Sequence, residues 1–184
     1  MVIIMELLMK LLDEFKYSAQ RIETLPVYKV EGEWEEYERY ISGIPEFDFG
    51  KNSWIQKIER IVQNNGEMER IRIVPQQINS YLRFETETGY IPNSVAGEKI
   101  LVMPQKQYEM MTPLELRGDF WIFDNSKVLK MNYAEDGEFI GSEMVQNQQF
   151  GNKIIDLFQA LSGQGRELNH LIKVMRNIGT IYYE

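Results

Sequence analysis

The apolar run Phe120-Trp-Ile-Phe123 is the feature that most restricts the fold of this chain. Four consecutive apolar residues are typical of a strand that is covered on both faces. A turn at Asp124-Asn-Ser126 follows, and 128–133 then resumes as a strand. Glu135-Asp-Gly137 has the composition of a second turn, and a third strand is expected over 138–145. Because Asp-Gly between two such runs favours a β-hairpin, we predict three neighbouring strands of one sheet here.

A helix followed by a glycine stop and a strand is the second informative pattern. Ser53 begins a segment whose apolar residues have helical spacing, and Asn64-Asn-Gly66 is a typical helix end. Met68–Val74 then alternates as a strand, and Lys99–Met103 is a further short strand. Such a succession is half of a βαβ unit. We therefore predict an α/β fold: a single domain with a mixed β-sheet flanked by helices.

The remaining segments are mostly helical by the spacing of their apolar residues. Helices are predicted over about 3–21, 31–42, 76–85, 150–161 and 167–176. Strands are predicted over 22–30 and 180–183, and loops over 43–52 and 89–97. The whole chain, 1–184, is expected to form one domain: an N-terminal helix at about 3–21, a core at about 22–162 and a C-terminal helical tail at about 167–184.

Composition excludes several classes of function. The chain has 28 Asp and Glu against 20 Lys and Arg, a net charge of -8, so generic nucleic-acid binding is not expected. It has no cysteine and one histidine, which excludes disulfides, thiolate nucleophiles and two-histidine mechanisms. His170 is interpreted as a partly buried helix residue. Gly163-Gln-Gly165 lacks the pattern of a phosphate loop, and no cofactor is expected. No apolar run is long enough to span a membrane, so we expect a soluble cytoplasmic protein without membrane contact.

Three arginines suggest a binding site for a small anion. Arg70 and Arg72 alternate with isoleucines, so both guanidinium groups lie on one face of a strand. Arg83 follows in the next helix. Guanidinium groups suit carboxylates and phosphates. The alternative is that these arginines form ion pairs with Glu69, Glu85 or Asp119 at the margin of the sheet.

An ordered set of motifs resembles an uncharacterised prokaryotic family of unknown function. The motifs are Arg70-Ile-Arg-Ile-Val74, Tyr81-Leu-Arg-Phe-Glu85 and Phe120-Trp-Ile-Phe-Asp124. Many members of that family are encoded near helix-turn-helix regulators. The resemblance therefore implies an accessory or regulatory role, with a helix-turn-helix regulator as a possible protein partner.

The strand order and the hairpin are also similar to one half of a phospholipase D-like domain. Asp124 and Gly141-Ser142 match two positions of that superfamily's motif. Its histidine position falls on Arg117 and its lysine position on Asp119, and the spacing from Asp124 to Gly141 is longer than usual. This second resemblance implies a phospholipase D-like topology and a relative without that catalytic chemistry.

Two hypotheses of function follow. The first is a non-catalytic binding or regulatory accessory module, acting with a transcription regulator or on a small anionic ligand. The alternative is a hydrolase, metal-dependent or not, that acts on a phosphodiester through the carboxylates of Glu85, Asp119 and Asp124 and the arginines Arg72 and Arg83. Whether the chain is an enzyme at all is left open, although the first hypothesis is favoured. The predicted site lies at one end of the strands and comprises Arg70, Arg72, Arg83, Glu85, Asp119, Trp121 and Asp124.

Overall fold

A seven-stranded mixed β-sheet organises the molecule. The computed structural model describes residues 2–30, 32–44 and 53–181. Within these ranges the strands are β1 (Ser18–Glu23), β2 (Glu67–Val74), β3 (Lys99–Pro104), β4 (Asp119–Phe123), β5 (Lys127–Tyr133), β6 (Phe139–Met144) and β7 (Arg166–Glu167). Their order across the sheet is β6-β5-β4-β1-β2-β3-β7. Strands β1, β2 and β3 are parallel, and all the other pairings are antiparallel. The predicted α/β fold with a mixed sheet is confirmed.

Helices cover both faces of the sheet. The α-helices are α1 (Val2–Glu14), α2 (Glu33–Ile41), α3 (Ser53–Gln63), α4 (Ser80–Phe84), α5 (Ile91–Ala96), α6 (Gln105–Met111), α7 (Gln148–Ser162) and α8 (Leu168–Ile181). A π-helix, Glu85–Tyr90, joins α4 to α5, and a 3₁₀ turn spans Leu114–Leu116. The parallel strands are connected through helices, as βαβ units require.

Strand β4 is buried at every position, as its apolar sequence predicts. All five of its residues are buried, and Ile122 has no exposed surface. Phe120 and Ile122 pack with Ile154 and Phe158 of α7, on the side that we call the α7 face. Trp121 lies in the cluster formed with α1 and α3, on the side that we call the α1 face.

The first predicted helix is too long, and the strand that follows it is displaced. Helix α1 ends at Glu14, and 18–21 begins β1 instead of continuing the helix. The predicted strand over 22–30 is wrong beyond Glu23, because Thr24 and Pro26 lie in the segment that leaves the sheet. The β-branched residues near Pro26 favoured an edge strand in this segment. In the structure, Pro26 comes after the end of β1 and is not part of a strand.

Two predictions near glycines and at the C-terminus are also wrong. The segment 89–97 is helical up to Ala96, with Gly97 as the left-handed residue after the helix. The expected strand at 180–183 is contradicted at 180–181, which belong to α8, and 182–183 lie outside the described residues. Strand β7, of two residues, was not predicted. Most of the predicted loop at 43–52 lies outside the described residues, and only 43–44 belong to them. No helix in the described part of the chain is long and apolar enough to cross a membrane.

Candidate functional site

Charged side chains replace the apolar core at the centre of the α1 face. In β1, Arg21 and Glu23 alternate with Ile22, which points to the α7 face. In β2, Arg70 and Arg72 alternate in the same way. The register pairs Arg21 with Arg70 and Glu23 with Arg72, so the four side chains form a compact block. The period of two in a strand therefore places all four on one face.

Arg70 and Arg72 donate hydrogen bonds to buried glutamate side chains. The Nη1 of Arg70 lies 2.7 Å from Glu23 Oε1, and its Nε donates to Glu98 Oε1 at 2.8 Å. The Nη2 of Arg72 donates to Glu85 Oε2 at 2.8 Å. The pairing of Arg72 with Glu85 agrees with the ion-pair interpretation. Arg70 pairs with Glu23 and Glu98, and not with Glu69 or Asp119, the other two acids named in that interpretation. These pairs lie within the fold and not at the sheet margin.

Arg21 has hydrogen-bond donors that are not paired with an acceptor. Its Nε lies 2.9 Å from Glu23 Oε1, and its side chain is 17% exposed. Its guanidinium carbon sits 5.1 Å from the ring centre of Trp121. Among the described residues, the buried Nε1–H of Trp121 has no acceptor, and no partner is found for the two Nη groups of Arg21.

These groups border a cavity of about 610 Å³, which we call the charged cavity. This volume is within the range of small-molecule sites. Its polar wall includes Arg21, Glu23, Arg70, Glu85, Tyr90 and Trp121, together with two further acids, Glu33 and Glu36. Its apolar wall is formed by Leu8, Leu12, Trp54, Met131, Tyr133 and Phe139. The cavity lies towards the carboxyl end of β1, where the sheet changes from parallel to antiparallel pairing. Open α/β sheets commonly bind ligands at such ends.

The π-helix supplies one wall of the charged cavity. Glu85 begins this turn and Tyr90 ends it, and both are buried. The hydroxyl of Tyr90 donates to Glu23 Oε2 at 3.0 Å. π-Helices are rare and often occur at functional sites, since the extra residue per turn redirects side chains. Here the wider turn brings Glu85 to Arg72 and Tyr90 to Glu23.

The two carboxylates at the centre have opposite pKa shifts. Burial raises the pKa of Glu23, but the positive charges of Arg21, Arg70 and Arg72 outweigh it and lower the pKa to about 2. Burial raises the pKa of Glu85 to about 8, because Arg72 offsets it only in part and the charge of Glu23 adds to it. Glu23 is therefore ionised at neutral pH, while Glu85 carries a proton over most of the range below pH 8.

Two further acids near the cavity have raised pKa values. Burial raises the pKa of Asp119, although Thr24 and Tyr28 donate hydrogen bonds to its carboxylate, both at 2.5 Å. Burial also raises the pKa of Glu33, which accepts a hydrogen bond from the hydroxyl of Tyr81. Protonation of such acids reduces the negative charge around the cavity.

The structure brings together five of the seven predicted site residues. Arg70, Arg72, Glu85, Asp119 and Trp121 lie in or directly beside the charged cluster of the α1 face. The other two predicted residues are elsewhere.

Asp124 and Arg83 lie away from the charged cavity. The carboxylate of Asp124 accepts hydrogen bonds from the backbone N–H groups of Lys16, Tyr17 and Ser18, at the opposite end of β1. The antiparallel course of β4 puts Asp124 there, whereas Asp119 starts the same strand beside the end of β1. Arg83 is half-buried and its Nη2 donates to the carbonyl oxygen of Met175 at 3.4 Å, so it faces α8.

Sequence reasoning missed Arg21, Glu23 and Tyr90. Arg21 and Glu23 flank Ile22 just as Arg70 and Arg72 flank Ile71, and that alternation was a usable signal. It was overlooked because residues up to 21 were assigned to a helix. Tyr90 was placed in a loop that is in fact helical. Within the described ranges, no group of three or more His, Asp or Glu residues is arranged to hold a metal ion.

The fold and the cavity define a mixed α/β domain with a charged, ligand-sized cavity. The chain belongs to the family described as Domain of unknown function (DUF6879), whose family model matches residues 6–172. The resemblance to a family of unknown function is thus confirmed. No match to the sequence was found among curated proteins.

Solved structures with a similar fold include a phospholipase D family member. Nuc from Salmonella typhimurium superposes with a TM-score of 0.51 at 11% sequence identity, and the alignment covers 88% of each chain. The archaeal chromatin protein TrmBL2 superposes with a TM-score of 0.49 at 7% identity, covering 89% of this chain and 50% of that one. The likeness to Nuc confirms the expected phospholipase D-like fold and concerns the fold alone.

Proposed function

We propose that this chain is a non-catalytic binding module that holds a small anionic ligand in the charged cavity. The observation that carries the proposal is a set of unused donors, the two Nη groups of Arg21 and the Nε1–H of Trp121. A buried N–H without an acceptor costs free energy, and a ligand carboxylate would satisfy it. The role of accessory to a transcription regulator is part of the same proposal and is supported by the family resemblance.

The division of roles among the arginines supports a single anionic group on the ligand. Arg70 and Arg72 already have buried carboxylate partners, so an anion would have to displace Glu23 or Glu85 to reach them. Arg21 shares Glu23 with Arg70 and retains two terminal nitrogens. We therefore assign the binding of the anionic group to Arg21, whereas Arg70 and Arg72 hold the sheet and the π-helix together.

The apolar wall indicates what the rest of the ligand is like. Leu8, Leu12 and Met131 also line the charged cavity, together with aromatic rings. Burial of apolar surface there contributes affinity without any further charge. The favoured ligand is a monocarboxylate with a compact apolar or aromatic body.

The alternative hydrolase requires Glu85, Asp119 and Asp124 in one cleft. Asp124 binds backbone N–H groups at the far end of β1 instead. Arg83, one of the two arginines assigned to that reaction, faces α8. The separation of these two residues from the others favours binding over hydrolysis.

The test is a thermal-shift screen of small carboxylates followed by calorimetric titration of any ligand found. We compare the wild type with Arg21→Gln, which removes the cation, and Trp121→Phe, which removes the N–H and keeps a ring. Arg60→Gln is the matched control, because Arg60 is exposed on α3. We expect both cavity variants to lose affinity by about tenfold or more and the control to bind like the wild type. Equal binding by all four proteins, or no binding to the wild type, would contradict the proposal.

A further inference from the structure

A second groove lies at the carboxyl ends of β2 and β3, away from the charged cavity. It has a volume of about 730 Å³. Its floor is aliphatic and includes Val74, Ile78, Val102, Leu171 and Val174. We call it the end groove. The lining residues of the end groove include no Phe, Trp or Tyr, so it suits an aliphatic body better than a flat ring.

Three nitrogen-bearing side chains stand on the rim of the end groove. They are Lys106, at the start of α6, Arg166 of β7 and His170 of α8. All three are exposed. In the part of the chain that the structure describes, no carboxylate lies within 4 Å of Lys106 or Arg166. In a chain with a net charge of -8, this is a local concentration of unneutralised cations.

Arg166 and His170 hold each other in position. Arg166 Nη1 lies 2.9 Å from His170 Nε2. A guanidinium group can only donate, so Nε2 accepts and the ring proton is on Nδ1. His170 therefore orients the guanidinium group and keeps an Nδ1–H as a further donor. The expectation of a partly buried His170 is wrong, since its side chain is exposed on the rim of this groove.

The position of Arg166 depends on a close backbone approach. A Cβ on Gly165 would lie 2.9 Å from the Cβ of Leu101 in β3. Glycine at this position lets β7 pair with β3, with Arg166 opposite Val102. The Gly163-Gln-Gly165 loop is thus not a phosphate loop, but it delivers Arg166 to the end groove.

One acid lies in the end groove as well. Glu109 Oε1 accepts a hydrogen bond from Gln105 Nε2 at 2.7 Å. This carboxylate reduces the positive charge but does not pair with either cation. The groove therefore carries two fixed positive charges, a neutral donor and one negative charge.

We propose that the end groove binds a phosphate monoester with an aliphatic body. A phosphate dianion offers three acceptor oxygens, which matches the donors of Lys106, Arg166 and His170 better than a carboxylate with two oxygens does. The aliphatic floor accommodates the remainder of the ligand. This site is separate from the charged cavity and does not depend on the function proposed for that cavity.

The test uses n-octyl phosphate as the probe, with octanoate and inorganic phosphate as comparisons. Calorimetric titration at about 0.15 M salt measures the affinity of each for the wild type, for Lys106→Gln with Arg166→Gln, and for Lys153→Gln. Lys153 is an exposed lysine of α7 and serves as the matched control. We expect saturable binding of octyl phosphate, tighter than that of octanoate, and a loss of about tenfold or more in the double variant only.

Two further variants make the result specific. Glu109→Gln removes the negative charge from the end groove and should tighten the binding of octyl phosphate. Arg21→Gln alters the charged cavity and should leave that binding unchanged. The proposal is wrong if octyl phosphate does not bind, if octanoate binds as tightly to the Arg21→Gln variant, in which the charged cavity is altered, or if Arg21→Gln and not the double variant abolishes binding.

Discussion

Asp124 connects two distant parts of the chain through its side chain. It has a positive φ of 51° and accepts hydrogen bonds from three consecutive N–H groups, at 2.7 to 3.1 Å. Burial raises the pKa of Asp124, but these N–H groups outweigh it and lower the pKa below 3.8. The sequence marked this residue as a turn and as part of a site. Only the turn is confirmed, because the second assignment needed the direction of β4.

Replacement of Asp124 should separate the effects of its side chain and its backbone. Asp124→Ala removes the hydrogen-bond acceptor. It also leaves an alanine at positive φ, where no side-chain hydrogen bond stabilises the backbone. We therefore expect the free energy of unfolding to fall by about 2–4 kcal/mol. Asp124→Asn keeps an acceptor and tolerates this φ, so it should lose less. Urea unfolding at pH 7 measures both. At pH values below 3.8 the wild type should approach the Asn variant, because protonation of Asp124 removes the advantage of its lowered pKa.

Glu85 should make the protein less stable as the pH rises towards 8. Its ordinary pKa is 4.5 and its pKa in the fold is about 8, so the folded state holds a proton that the unfolded chain has lost. The resulting stabilisation is complete below pH 4.5 and is lost as the pH rises to about 8.

Glu85→Gln mimics the protonated side chain and gives the test. We expect the variant and the wild type to have similar stability near pH 5, and the variant to be more stable near pH 9, as measured by urea unfolding across this range. A pH dependence that is identical in the two proteins would show that another group is responsible.

The turn between β5 and β6 contacts a segment far away in the chain. Gly137 has φ 90°, and Lys29 N donates to its carbonyl oxygen at 2.8 Å. A Cβ on Gly137 would lie 2.5 Å from the carbonyl oxygen of Val27. The hairpin and its positive φ were predicted from Asp-Gly, but this contact depends on how the chain leaves β1.

Gly137→Ala should therefore cost more than a positive φ alone. We expect about 1 kcal/mol from the backbone conformation and about 1–3 kcal/mol more from the clash with Val27. Gly32→Ala is the matched control, because Gly32 has φ 85° and no atom within 4 Å of the added Cβ. The melting temperature and the urea midpoint of the two variants are compared. Equal decreases in stability would mean that the backbone around Val27 moves to accommodate the Cβ without a measurable loss of free energy.

Elements with regular patterns were predicted well, and those that depend on tertiary contacts were not. The strands β2, β3, β4 and β5 followed from their apolar patterns and their turns. The π-helix could not be read from Gly89 and Pro92, which suggest a loop, because buried hydrogen bonds such as that from Tyr90 to Glu23 stabilise it. β1 was missed for a similar reason: its charged residues are buried only because their partners come from β2 and the π-helix.

The net charge of the whole molecule gives a prediction about nucleic acids. With a net charge of -8, the protein as a whole does not gain nucleic-acid affinity from the release of counterions. The cations of the end groove form only a small local group. We expect no binding of a labelled 20-base-pair duplex at micromolar protein in about 0.15 M salt, as measured by fluorescence anisotropy. Binding with a steep dependence on salt would show that the surface charges are arranged as a nucleic-acid interface.

The central place of β1 in the sheet has a consequence for synthesis on the ribosome. β1 pairs with β2 on one side and with β4 on the other, and its partners in β4 are about 100 residues later in the chain. At roughly 5–20 residues per second, β4 is translated about 5–20 s after β1. Throughout that interval the nascent chain carries one unpaired edge of β1, next to the charged side chains of Arg21 and Glu23. These charges disfavour pairing with the strands of other nascent chains, so the residues that build the cavity also protect the growing polypeptide from aggregation.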